Sequence, residues 1–147
     1  MLSTVAARCM PDIRFVIVGS GTEPYRRYAS ENVSFVGLQV GEELVRWMQR
    51  SKVYVQVSAH EGFGHALAQA MLCNCIPVVV ERGAIPEVVG NEGVYARYGD
   101  VSSTVDSIRL AMHLKLNPRE RIIREFSLAK RRHALLEQVA DLTRNLH

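Results

Sequence analysis

Apolar residues fall into short continuous runs that polar stretches separate along most of the chain. Runs of this kind, rich in β-branched residues and stopped by glycine or polar residues, predict buried strands. The pattern predicts four such strands and a shorter fifth one, at residues 13–18, 33–36, 53–57, 77–80 and 93–96.

Helical periodicity fills the stretches between these strands. It predicts helices at 22–30, 42–50 and 64–72, with Thr22 as the cap of the first. Two more helices follow, one capped by Ser102 or Ser103 and one beginning at Asn117-Pro118. The predicted apolar stripe of the last helix consists of Ile122, Phe126, Ala129, Leu136, Val139 and Ala140.

Alternating strands and helices, with strands that are apolar throughout, are typical of an α/β fold. We therefore predict a Rossmann-like parallel sheet with helices on both faces, formed by one domain spanning residues 1–147. Ligands of such sheets bind beyond the carboxyl ends of the strands. The loops after residues 18, 36, 57 and 80 are the places to expect a site.

Composition and charge exclude several classes of protein. The hydrophobic fraction of 48% argues against disorder. The longest apolar run is too short for a membrane-spanning helix, and no signal peptide is recognisable. The net charge of +3 arises entirely within residues 118–147, which hold seven basic and four acidic residues. One basic cluster at 130–133 is a weak sign of nucleic-acid binding, and we expect none.

Three cysteines occur, at Cys9, Cys73 and Cys75. An odd number argues against a disulfide framework, and Cys73-Asn74-Cys75 lacks a second cluster of metal ligands. We expect reduced thiols in a cytoplasmic protein, with no metal site and no resident cofactor.

The loop after residue 57 contains the strongest candidate chemistry. It runs Ser58-Ala59-His60-Glu61-Gly62-Phe63-Gly64-His65 and leads from a strand directly into a helix. Glycines there permit close approach of a ligand, and free helix N–H groups favour an anion such as phosphate. A tight turn built only for packing is the alternative.

Glu61 suits sugar hydroxyls or developing positive charge better than a phosphate. His65 and Gln69 lie one turn apart on the predicted helix, so these three side chains are expected to line one crevice. For His65 the alternative is a neutral residue at a helix N-terminus, and for Gln69 a solvated position.

Two other loops give weaker signals. Gly19-Ser20-Gly21 follows the first strand, but Pro24 stands where a dinucleotide fingerprint has its third glycine. A nicotinamide-dependent dehydrogenase is therefore disfavoured. After residue 80, Gly83 precedes a predicted short helix with Glu87 in its first turn, where a carboxylate also simply favours the helix dipole.

These loops, taken in order, resemble the donor-binding domain of the retaining glycosyltransferases of family 4, which have the GT-B fold. The resemblance rests on Glu61-Gly62-Phe63-Gly64, Ala70-Met71, Pro77-Val78-Val79 and Pro86-Glu87-Val88-Val89. It implies transfer of a sugar from a nucleoside-diphosphate sugar to an acceptor, with retention and without a catalytic metal. The donor would lie in a cleft between this domain and a second one.

The resemblance also implies roles for individual residues. Glu61 matches the first glutamate of the family's E-x7-E motif, which contacts the donor sugar, and an anion there would favour an oxocarbenium-like transition state. Residues 62–65 would hold the diphosphate or the sugar, and the loop around Gly37 would pack on the base. The full set expected to bind the donor is Gly19, Gly21, Gly37, Leu38, Val40, Gly62, Phe63, Gly64, His65, Gln69, Gly83 and Glu87.

The sequence departs from the family pattern in four places. Gln69 replaces the second glutamate, which usually binds the ribose, and Ala84 replaces a glycine. The family's first strand is missing, with its diphosphate-neutralising Arg and Lys, and so is the acceptor domain. The strands at 13–18 and 53–57 must then pair directly, or residues 1–9 must rearrange, or another chain must fill the gap. We expect an isolated chain that is marginally stable or self-associates.

Two functions remain open at this point. The chain is either the donor half of a glycosyltransferase that needs its other half for catalysis, or a degenerate module that binds nucleotide sugars weakly. The missing Arg and Lys, together with Gln69, favour the degenerate module for the chain by itself.

Overall fold

Strands and helices alternate from Phe15 to His113, as the hydrophobic pattern predicts. A computed structural model of the protein describes residues 2–57 and 64–144. Its elements are α1 (Leu2–Arg8), β1 (Phe15–Val18), a 3₁₀ helix (Glu23–Tyr28), β2 (Val33–Gly37), α2 (Gly41–Gln49), β3 (Val53–Gln56), α3 (His65–Leu72), β4 (Ile76–Val80), α4 (Ile85–Val89), β5 (Val94–Ala96), α5 (Val101–His113), α6 (Pro118–Glu125) and α7 (Leu128–Arg144).

The five described strands form two separate sheets, and the strands within each sheet are parallel. Strand β1 pairs with β2, with Phe15 opposite Val33. Strand β4 lies between β3 and β5, with Val53 opposite Ile76 and Val78 opposite Val94. Within the described part of the chain, β1 and β3 belong to different sheets. The direct pairing of these two strands, one of the three expected arrangements, is therefore not found.

Helices cover both faces of the β3–β4–β5 sheet, which confirms the predicted α/β architecture. Val78 faces a core formed with α1 and α5, where Met10, Ile108 and Ala111 are buried. The next residue, Val79, faces the opposite core, formed with α3, α4 and α6. Every residue of β4 is buried. Burial on both faces explains why its sequence is a continuous apolar run.

Helix α1 was not predicted, because the seven residues of Leu2–Arg8 are too few to show a helical repeat. Ala6 and Ala7 are fully buried in it. The Asn32 side-chain nitrogen donates hydrogen bonds to the carbonyls of Ala7 (3.1 Å), Met10 (2.8 Å) and Ile13 (2.8 Å). One half-buried amide thereby fixes the end of α1 against the start of β1.

The C-terminal region corrects the prediction of one long helix. Asn117 caps α6 as expected, since its side-chain oxygen accepts a hydrogen bond from the Glu120 N–H. The helix then ends at Glu125, and α7 begins at Leu128. Ile122 is buried against α3 and α4, whereas no residue of α7 is buried. Of the predicted apolar stripe, only Ile122 and Phe126 therefore pack in the core.

Two predicted caps are also corrected. Asp100, rather than Ser102 or Ser103, caps α5 by accepting a hydrogen bond from the Ser103 N–H at 2.9 Å. This bond is the main reason why the pKa of Asp100 is lowered. Thr22 makes no capping bond, and its hydroxyl donates instead to the Gly19 carbonyl at 3.1 Å.

Candidate functional site

Helix α3 begins at the carboxyl end of β3, where the predicted phosphate-type site lies. Gly64 is buried and adopts left-handed angles, φ 75° and ψ 56°, immediately before the first helical residue. No side chain caps this end of the helix within the described residues. The first N–H groups of an α-helix have no acceptor inside the helix, so they favour an external anion.

Glu61, Gly62 and Phe63 lie outside the residues that the structure describes. Their roles therefore stay predictions. The structure gives the elements on either side of these residues: β3 ends at Gln56, and α3 begins at His65.

His65 and Gln69 both project from α3 and are exposed. Gln69 lines a cavity of about 510 Å³ between α2 and α3, a volume in the range of small-molecule sites. We call this space the α2–α3 cavity. Its lining residues are Gly41, Glu42, Leu44, Val45, Arg46, Met48, Gln49 and Gln69.

Charges at the α2–α3 cavity are largely balanced. Arg46 forms ion pairs with Glu43 at 2.5 Å and with Glu42 at 3.4 Å along α2. The apolar side chains of Leu44 and Val45 contribute to the wall. An aromatic or heterocyclic ring that also offers hydrogen-bonding groups suits such a lining better than an isolated charge does.

The loops after β1 and β2 are held together. The Gly19 N–H donates a hydrogen bond to the Gly37 carbonyl at 2.8 Å. Beyond Gly37, Leu38 and Val40 are 67% and 70% exposed. Val40 directly precedes Gly41, which lines the α2–α3 cavity, so this exposed apolar pair adjoins the cavity along the chain.

The structure does not bring every predicted residue to this cavity. Gly83 and Glu87 follow β4, and Glu87 lies in the first turn of the short helix α4 as expected. Neither contributes to the lining of the α2–α3 cavity. The backbone carbonyl of Glu87 accepts a hydrogen bond from Arg121 of α6 at 2.6 Å. Gly21, in the loop after β1, likewise does not line the cavity.

Gln56, the last residue of β3, is not among the site residues predicted from the sequence. Its side chain is buried, at 8% exposure, and its oxygen accepts a hydrogen bond from the Tyr54 hydroxyl at 2.9 Å. The available signal was a lone polar residue ending an apolar strand next to the glycine loop. The strand was instead interpreted as uniformly apolar.

Other groups supply no obvious chemistry. Burial raises the pKa of Cys75 to about 11, so its thiol stays protonated and donates to the Met48 carbonyl at 3.0 Å. Across residues 2–57 and 64–144, no group of His, Cys, Asp or Glu is arranged to hold a metal ion. No helix in the same ranges is long and apolar enough to cross a membrane.

Comparisons with known proteins show the family to which the chain belongs. The family described as glycosyl transferases, group 1, matches residues 1–113. The chain is 29% identical over 113 residues to the phosphatidylinositol N-acetylglucosaminyltransferase GPI3 subunit of Saccharomyces cerevisiae, covering 70% of this chain and 25% of that protein. It is 31% identical over 113 residues to the phosphatidyl-myo-inositol mannosyltransferase of Propionibacterium freudenreichii, covering 75% and 28%.

Among solved structures, the chain is similar to the C-terminal domain of a glycosyl transferase group 1 family protein from Francisella tularensis. The TM-score is 0.68 at 17% identity, over 86% of this chain and 76% of that one. This likeness shows the fold. The chain spans about a quarter of the length of the curated relatives it matches.

Proposed function

The chain belongs to the group 1 glycosyl transferases, and we propose that it binds the nucleoside-diphosphate sugar used in retaining glycosyl transfer. The start of α3 carries this proposal. A buried left-handed glycine joins the carboxyl end of a parallel strand to an uncapped helix N-terminus. That arrangement favours an anion, and the diphosphate is the anionic part of the donor.

The α2–α3 cavity is the proposed place of the nucleoside. Gln69 lies on its wall, one turn along α3 from His65, and its amide oxygen can accept a hydrogen bond from a ribose hydroxyl. Leu38 and Val40, exposed beside the cavity entrance, would pack against the base. The donor would thus run from the base at α2 to the diphosphate at Gly64 and His65.

We assign the sugar end of the donor to Glu61, on the resemblance alone. A carboxylate beside the anomeric carbon would stabilise the positive charge that develops there. Gly62 and Phe63 would approach the donor from the same connection. Gly19 and Gly21 would contact it from the loop after β1, and Gly83 and Glu87 from the loop after β4.

Catalysis is proposed to need a second, acceptor-side domain. Coverage supports this proposal, since the chain spans about a quarter of the length of the curated relatives it matches. We further propose that an additional parallel strand lies between β1 and β3. Each of these strands has a single hydrogen-bonded neighbour in the described part of the chain, and the side chains of β1 are only half-buried.

A degenerate binding module is the second candidate. The observation that favours it is Gln69, which stands where the resemblance implies a glutamate. Hydrogen bonds to a charged partner are roughly twice as strong as neutral ones, so the ribose contact is weakened. Such a module would bind the donor but would transfer no sugar even when supplied with an acceptor-side domain.

Titration of the chain with UDP and GDP tests the binding function. Each is to be offered free and carrying N-acetylglucosamine or mannose, because the two named relatives transfer these sugars. We expect saturable binding of one nucleotide in preference to the other. Gln69→Glu should tighten it several-fold and Gln69→Ala should weaken it, whereas Gln138→Ala on the exposed helix α7 should leave it unchanged. Absence of binding at millimolar concentration would overturn both candidate functions.

A further inference from the structure

Gln56 occupies an unusual position for a polar side chain. It ends β3 and pairs in register with Val79 of the fully buried strand β4. Its side chain is 8% exposed, so the amide lies in the interior rather than at the rim of the sheet. A buried amide is retained at low cost only when both its ends are hydrogen-bonded.

Only one end of this amide is satisfied. The side-chain oxygen accepts the Tyr54 hydroxyl at 2.9 Å, which sets the orientation of the amide. The buried side-chain nitrogen Nε2 has no hydrogen-bond partner in the part of the chain that the structure describes. An unsatisfied buried donor costs stability, so an apolar residue of similar volume would be the better choice if packing were the only demand.

The unsatisfied nitrogen lies next to the start of α3. Gln56 Nε2 is 3.9 Å from the point where a Cβ at Gly64 would lie. Gly64 is itself buried and left-handed, immediately before the first N–H groups of the helix. A donor from the strand and the first N–H groups of the helix therefore lie close together. Neighbouring donors favour a ligand that offers several acceptor oxygens.

We propose that Gln56 binds the diphosphate of the donor, with Nε2 donating a hydrogen bond to a phosphate oxygen held at the N-terminus of α3. This inference rests on the proposed function. The contact forms at the buried base of the site, where a hydrogen bond to a charged oxygen is strongest. It also explains why the strand ends on an amide instead of a further aliphatic residue.

The test uses Gln56→Leu, with Gln56→Met as a second apolar variant if the first does not fold. Binding of UDP and GDP is to be measured beside that of uridine and guanosine, which lack phosphates. We expect the dissociation constant for the preferred nucleoside diphosphate to rise about tenfold or more. Affinity for the matching nucleoside should not change. The melting temperature of the ligand-free variant should change little, because removal of the unsatisfied donor offsets the loss of the hydrogen bond from Tyr54.

Two further variants test whether Gln56 donates a hydrogen bond to the phosphate. Gln56→Glu keeps the shape but places an acceptor beside the phosphates, so it should weaken binding more than Gln56→Leu does at neutral pH. Acidification should restore part of this loss, because the protonated acid can donate again. Tyr54→Phe removes the hydroxyl that orients the amide but leaves Nε2 in place, so it should weaken binding of the diphosphate less than Gln56→Leu does. Gln138→Ala on the exposed helix α7 is the control, and its affinity for the diphosphate should not change.

The outcomes separate this inference from the proposed function. If the unmodified chain binds the nucleoside diphosphate and Gln56→Leu binds it equally well, only the role of Gln56 is wrong. The role is also wrong if Gln56→Leu lowers the melting temperature and weakens nucleoside and diphosphate alike, since Gln56 is then structural. If the unmodified chain binds no nucleotide, both proposals fail.

Discussion

Two structural requirements meet at Gly64, one on its backbone angles and one on its lack of a side chain. Its left-handed backbone starts α3, and its missing side chain leaves the helix N-terminus open. A Cβ there would lie 3.4 Å from that of Leu67 and 3.9 Å from Gln56 Nε2, which is ordinary contact. The cost of a side chain at Gly64 is therefore mainly the cost of left-handed angles, while its effect on a ligand is direct.

Gly64→Ala and Gly99→Ala form a matched pair that separates these effects. Gly99 has nearly the same φ, 76° against 75°, and no atom lies within 4 Å of its would-be Cβ. Both substitutions should lower the free energy of unfolding by about 1–2 kcal/mol in urea titrations. Only Gly64→Ala should also weaken binding of the nucleoside diphosphate. Equal affinity in both variants would show that the ligand does not approach this helix end.

Some helices and strands are held in place by polar side chains that the hydrophobic pattern of the sequence does not reveal. Asn32 is the strongest case, because one side-chain nitrogen joins three carbonyls from α1 and from the segment before β1. Its oxygen in turn accepts the Ser30 hydroxyl at 2.6 Å. The attachment of α1 thus depends on a donor that lies outside both helix and strand.

Asn32→Asp should lower the free energy of unfolding by about 3 kcal/mol. The carboxylate keeps the shape of the amide but turns an acceptor toward three carbonyls. The loss should shrink as the pH falls, because the protonated acid is neutral and can donate. Asn74→Asp is the control for the same chemical change at an exposed residue. Unfolding followed by circular dichroism measures both, and a loss no larger at Asn32 than at Asn74 would contradict the role assigned here.

Across the whole molecule, the sequence pattern correctly predicted the strands and helices whose apolar residues recur at regular spacing. The five strands, α2, α3, α4 and the Asn117 cap all lie where expected, since burial on both faces of a sheet leaves an unmistakable run of apolar residues. The contacts of Asn32 were missed for the opposite reason. Nothing local distinguishes Asn32 from a solvated residue, because its partners Ala7, Met10 and Ile13 are set by tertiary structure.

The candidate site was predicted in outline only. The glycine before α3 and the position of Gln69 followed from local turn and helix rules. The α2–α3 cavity did not, because it depends on the packing of two helices. The break between α6 and α7 was missed as well, since the apolar spacing continues through Phe126 and Ser127 although the helix does not.

We expect the isolated chain to self-associate. Strands β1 and β3 each have one unpaired edge among the described strands, and unpaired edges favour pairing with another chain. Light scattering should give a mass above the 16.5 kDa of one chain, increasing with concentration. Leu135→Lys with Leu142→Lys, on the exposed helix α7, should leave that mass unchanged. A monomer with a cooperative melt would overturn the prediction.

The division of the strands into two groups also has a mechanical consequence. No backbone hydrogen bond joins β1 to β3 in the described ranges. The β1–β2 group is attached to the main core by apolar packing of Ile13 and Phe15, and by the hydrogen bonds of Asn32 to the end of α1. Such packing has no fixed direction, unlike a hydrogen-bonded ladder. The group that carries Gly37 and Leu38 can therefore tilt slightly against α3 without breaking a ladder bond. A small tilt would change the width of the space between that group and α3.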